Sequence, residues 1–168
     1  MKLIQVVLLS SILVWGSAFA NETQTPDISA AESTENLQMN SQQELIDLFF
    51  AAAKNGNREV IDEFLKHGFP VDVRNHASYT PLMMAAYYGQ QAIVTRLLEQ
   101  GADRCARDNK GNTALMGAMF KLEWGIVKQL RKVDCDINAK QSGRKTVAEF
   151  AEVIGQKQQL QQLINAEK

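Results

Sequence analysis

At 168 residues, 45% of them apolar and 22% charged, the chain has room for one folded domain of ordinary composition. Its formal charge of −1 leaves no electrostatic footprint for nucleic acid and no polybasic attraction to anionic lipid. Beyond residues 1–20, no apolar run is long enough to span a membrane.

Residues 1–20 read as an export signal. Lys2 gives a positive start, and Leu3 to Trp15 is almost wholly apolar. That stretch, about a dozen residues, is short for a bilayer. Ala18-Phe19-Ala20 offers small residues at both positions a signal peptidase reads, so cleavage is expected between Ala20 and Asn21. No Cys stands at the junction, which argues against a lipid anchor. The segment has a bacterial look, so the expected compartment is the periplasm, with secretion beyond it as the alternative. Without residues 1–20 the chain keeps 17 basic against 19 acidic groups, a net charge of −2, and is expected to have no membrane attachment in this mature form.

Residues 21–41 read as a disordered, polar, acidic tether. Their charges are Glu22, Asp27, Glu32 and Glu35, and Ser, Thr, Gln and Asn fill most of the rest. So few apolar groups cannot offset the entropy of ordering.

From residue 42 the chain repeats every 33 residues. Thr80-Pro81-Leu82-Met83-Met84-Ala85-Ala86 aligns with Thr113-Ala114-Leu115-Met116-Gly117-Ala118-Met119, and then with Thr146-Val147-Ala148 onward. Phe49 to Gly56 fills the same frame one period earlier. The pairs Val60-Ile61, Ile93-Val94 and Ile126-Val127 share one register, as do Phe64-Leu65, Leu97-Leu98, Leu130-Arg131 and Leu163-Ile164. A fixed period of this size signals stacked repeats, each burying its apolar face only against its neighbours.

Within the second unit, Pro81 suits a first helical turn and Thr80 can cap it. Leu82, Ala85 and Ala86 have the spacing of a buried helical stripe, and Gly89 ends the helix. Ile93, Val94, Leu97 and Leu98 make the stripe of a second helix, ended by Gly101. Ala102 to Gly111 is a hairpin-like loop rich in turn residues. The expected fold is therefore all-α: about four helix-turn-helix units, near residues 42–74, 75–107, 108–140 and 141–168.

The second unit resembles the ankyrin repeat. Thr80-Pro81-Leu82, Ala85-Ala86, Gly89, Ile93-Val94, Leu97-Leu98 and Gly101-Ala102-Asp103 match that family's pattern, and the resemblance extends over residues 42–168 as an ankyrin-repeat solenoid. The departures are also specific. Met83 and Met116 stand where the family has His, Leu122 where it has Gly, Arg131 in place of a Leu, and Arg104 in a usually apolar slot. The first unit lacks Thr-Pro-Leu and the fourth is Gln-rich, as expected of end caps facing water.

No catalytic set emerges. His67 lies in the last turn of a predicted helix and His76 in the next loop, with no spaced Cys or carboxylate partners for zinc. No Gly-rich phosphate loop follows a strand. Asp62 and Glu63 read as the solvated face of a helix. Neither an enzyme, nor a metal site, nor a cofactor is expected. Cys105 and Cys135 fall in adjacent loops, three residues out of register. A disulfide needs Cα atoms within about 7 Å, whereas the ankyrin resemblance implies that equivalent positions in neighbouring repeats stand roughly 10 Å apart. The offset either widens or narrows that gap, so a bridge and a buried free Cys135 both remain open.

The resemblance implies binding through the loop tips and the outward side of each first helix. Those positions are His76, Ala77, Tyr79, Met84, Tyr87 and Tyr88 in the second unit. In the third they are Asn109, Lys110, Asn112, Phe120 and Lys121, with Trp124 extending the ridge. Aromatic residues are the usual anchors of protein interfaces, although Tyr79 and Phe120 could instead fill gaps between units. The expected function is a non-catalytic module, monomeric when free, that docks on another protein. Similarity to small exported bacterial ankyrin proteins suggests an accessory to a periplasmic enzyme such as a catalase, in oxidative-stress resistance. The alternatives are an immunity or inhibitor protein masking a toxin's active site, and a secreted effector.

Overall fold

The structure, a computed structural model, describes residues 28–136, 139 and 143–166, with side chains from residue 37 onward. The signal-peptide reading of residues 1–20, with its Ala20–Asn21 junction, lies outside the described residues. The chain divides after Asn36, and the compact body runs from Leu37 to Lys168.

All regular structure among the described residues is helical. Four inner helices are α1 (Ile28–Asn55), α3 (Pro81–Tyr87), α5 (Ala114–Phe120) and α7 (Val147–Val153). Each is followed by an outer helix: α2 (Arg58–Lys66), α4 (Gln91–Glu99), α6 (Trp124–Leu130) and α8 (Lys157–Asn165). In the body, neighbouring inner helices pack on each other (α3 on α5, α5 on α7), and outer helices do likewise (α2 on α4, α4 on α6).

Helix α1 starts well before residue 42, over part of the stretch that composition assigns to a tether. Ala, Glu and Gln are strong helix formers even where nothing is buried. The side chains of residues 37–42 are indeed exposed, so this part of α1 is helix without packing.

Threonine starts three inner helices in the same way. Thr80 Oγ1 accepts from the Met83 amide at 3.3 Å and Thr113 Oγ1 from the Met116 amide at 3.4 Å. Thr146 accepts from the Glu149 amide at 3.2 Å, and the Glu149 carboxylate accepts from the Thr146 amide at 2.8 Å, a complete capping box.

The core lies between the two helix layers. Ile61, Leu82, Ile93, Leu97, Met119, Ile126 and Leu130 are buried there, and Ala85, Ala86 and Ala118 let the inner helices close up. The first unit, lacking the Thr-Pro-Leu start, is filled by Phe49, Phe64 and Phe69, whose ring centroids stand 4.9–5.2 Å apart.

Backbone-directed bonds tie the loops together. Arg74 Nη1 donates to the carbonyls of Ser78 (3.0 Å) and Arg107 (2.9 Å), one loop further on. Arg107, one period later, donates to the carbonyls of Gly111 (2.7 Å) and Cys135 (3.3 Å). Arg104, in the usually apolar slot, donates to the Gln129 carbonyl at 2.9 Å, satisfying an acceptor in the last turn of α6. Cys105 and Cys135 form a disulfide with Cα atoms 5.1 Å apart. The out-of-register placement narrows the gap between repeats, and neither thiol is free.

Candidate functional site

The exposed side of the inner helices follows the 33-residue register. Lys54, Tyr87, Phe120 and Val153 occupy one slot in successive units, and all four are exposed. Tyr88 and Lys121 share the next slot. The period therefore stacks these side chains into a strip across the array.

The contacts within the strip are specific. The rings of Tyr87 and Phe120 stack with centroids 6.3 Å apart and planes inclined by 12°. Tyr88 meets Tyr87 edge-on at 5.2 Å. Lys121 Nζ lies 5.2 Å from the centre of the Tyr87 ring, and Lys54 Nζ lies 5.0 Å from that of Tyr88. The Gln90 side chain donates to the Lys54 carbonyl at 3.0 Å, tying the end of α1 to the turn after α3. The rings stay accessible: Tyr87 is 37% exposed, Tyr88 43% and Phe120 56%.

Beside the strip runs a groove of about 300 Å³, lined by Tyr79, Met83, Lys110, Met116, Gly117 and Phe120 among others. A second hollow of about 290 Å³ lies against Met84, Tyr87 and Tyr88. Gly117 lines the groove next to Tyr87, where a Cβ would make an ordinary van der Waals contact at 3.8 Å. Asp108 is the one acidic residue in the groove wall, and it is engaged: its Oδ1 accepts from the amides of Lys110 and Asn112, both at 2.8 Å.

The structure brings Tyr79, Met84, Tyr87, Tyr88, Phe120 and Lys121 together along this face, with Lys110 at a loop tip on its border. Tyr79 and Met84 are half-buried walls. Three other sequence candidates sit differently. Asn112 lines the groove too, but its side-chain amide is given to Asp108 at 3.0 Å, so it also shapes the loop. His76 is exposed, and its carbonyl accepts from Asn109 Nδ2 at 3.3 Å, joining two loop tips. Trp124 opens an outer helix and packs against the core, lining neither hollow.

Sequence reasoning misses Lys54, although stepping back 33 residues from Tyr87 finds it. It also misplaces Asp62, which is not merely solvated: it pairs with Arg96 of α4 and with Arg58. The Arg96 hydrogen bond holds the Asp62 carboxyl below its ordinary range, while burial pushes that of Asp72 up, against the lowering effect of the Asp103 amide. Both carboxylates connect neighbouring repeats, and neither faces the groove.

Among the described residues, no cluster of His, Cys, Asp or Glu is placed to hold a metal ion, and no helix is long and apolar enough to cross a membrane. A family model for ankyrin repeats (3 copies) matches residues 48–141. No curated protein matches the chain.

Proposed function

The chain belongs to the ankyrin-repeat family, and from that premise we propose that it is an exported binding module, monomeric when free, docking on one partner protein. The family acts through protein–protein contact rather than catalysis. The observation that carries the reading is the exposed strip of Tyr87, Tyr88 and Phe120 bordering an open groove. Rigid, half-exposed aromatic rings supply large contact area at little entropic cost, which is why they anchor interfaces.

Two observations support export. The first is the leader with its Ala18-Phe19-Ala20 junction. The second is the Cys105–Cys135 bridge, since disulfides persist in oxidising compartments. The finer role we assign is accessory to a periplasmic enzyme such as a catalase, for which the leader supplies the compartment.

The test is capture from a periplasmic extract on immobilised protein, read by mass spectrometry. Wild type should retain a single protein that Tyr87→Ala with Phe120→Ala releases, while helical circular dichroism stays unchanged. Undiminished retention removes these rings from the interface. A retained toxin would put the immunity reading in place of the accessory one. Recovery of the mature chain beginning at Met1 rather than Asn21 would overturn cleavage.

A further inference from the structure

Several cations away from the strip are paired with carboxylates: Arg58 and Arg96 with Asp62, Lys66 with Glu63, Lys157 with Glu152, and Arg107 with Asp136. On the strip and its border, Lys54, Lys110 and Lys121 have no carboxylate within ion-pair distance among the described residues. The only acid in the groove wall, Asp108, is already satisfied by its own loop. A chain with net negative charge thus places three lysines without carboxylate partners on a face where it also exposes aromatic rings.

The lysines are also pre-positioned. Lys54 and Lys121 rest over ring faces, at 5.0 and 5.2 Å, rather than extending freely into solvent. A side chain held in this way loses less rotamer freedom when it pairs with an incoming carboxylate. The two ammonium groups are linked by the adjoining rings of Tyr88 and Tyr87, and Phe120 stacks on Tyr87 to extend the apolar stretch.

We propose that this face selects an acidic protein segment, in which carboxylates flank apolar or aromatic side chains. The carboxylates pair with Lys54, Lys121 and Lys110, and the apolar side chains enter the groove beside Tyr79 and Phe120. The proposal rests on the docking reading above and adds the chemistry of the partner. A nucleic acid is the poorer match: three lysines neutralise few phosphates, and a chain of net negative charge offers a polyanion no overall attraction.

The experiment is fluorescence anisotropy with the oxidised protein and four labelled probes. These are a short peptide alternating Glu and Asp with Phe and Leu, the same peptide with Lys for its acids, the same with Ser for its apolar residues, and a single-stranded oligonucleotide. The acidic-apolar peptide should bind best, and more weakly as salt is raised. Lys54→Glu with Lys121→Glu should weaken it by about tenfold, and Lys54→Arg with Lys121→Arg should leave it near wild type. Equal binding of the lysine peptide or the oligonucleotide, no binding of the acidic-apolar peptide, or indifference to charge reversal overturns the proposal. Retention of the extract partner separates the two readings. If the ring-to-alanine pair releases it and charge reversal does not, docking stands and the acidic chemistry falls. If neither releases it, both fall.

Discussion

Leu122 has a left-handed backbone, φ +64°, in the slot where Gly56 and Gly89 have +76° and +72°. A Cβ is strained in that region, and the Leu122 side chain is 54% exposed, so it recovers little by burial. Leu122→Gly should therefore stabilise the protein by about 0.5–1 kcal/mol in a urea melt. Leu97 is the opposite case. It is fully buried, and Leu97→Ala should cost roughly 2–5 kcal/mol through lost transfer and a residual cavity. An unmoved midpoint would remove it from the core. Both residues are legible in the sequence because register alone assigns their slots. Lys54 was harder to see: its helix has no Thr-Pro-Leu start, and a lysine at a helix end reads as ordinary surface until a ring is found beneath it.

At the level of elements, hydroxyl caps and one ion pair decide how helices begin and stay together. The Thr80 hydroxyl is completely buried and holds an amide of α3's first turn, so Thr80→Ala should cost about 1–2 kcal/mol. Asp62 joins α2 to α4 through Arg96. Its carboxyl is held below the ordinary value of 3.8, first by that hydrogen bond. Such a group stabilises the fold above its unfolded pKa, and the contribution fades as pH falls through the lowered value. Asp62→Asn should therefore lower the urea midpoint at neutral pH, and the gap to wild type should close in strong acid. A gap that persists there would rule out the ion pair as its cause. The caps could be read from Thr-Pro and Thr-Ala in the chain. The ion pair could not, because its partners are 34 residues apart and only packing shows that the two helix faces meet. Helix α1 exceeded its expected start for a related reason: a rule based on burial cannot see a helix that its own propensity sustains.

For the whole molecule, the period was enough to establish stacked helix pairs, but not the bridge between them. Whether Cys105 reaches Cys135 depends on where the loops run after α4 and α6, which no spacing in the chain specifies. Closing a loop of 30 residues should add about 3–4 kcal/mol of stability, so reduction should lower the urea midpoint accordingly. An unaltered midpoint would show that the crosslink leaves the unfolded chain as free as before. The acidic partner proposed above is equally illegible in the chain, since that proposal depends on which lysines rest on rings.

The same crosslink changes how the array responds to tension. Pulled from its two ends, an ordinary repeat stack pays out its whole contour as units peel away. Here the residues between Cys105 and Cys135 are short-circuited, so the force path jumps from the second unit to the third. The extended length should fall short by roughly 100 Å, and thiol reduction should restore it. Any strain that a docked protein places on the second loop is likewise delivered covalently to the third.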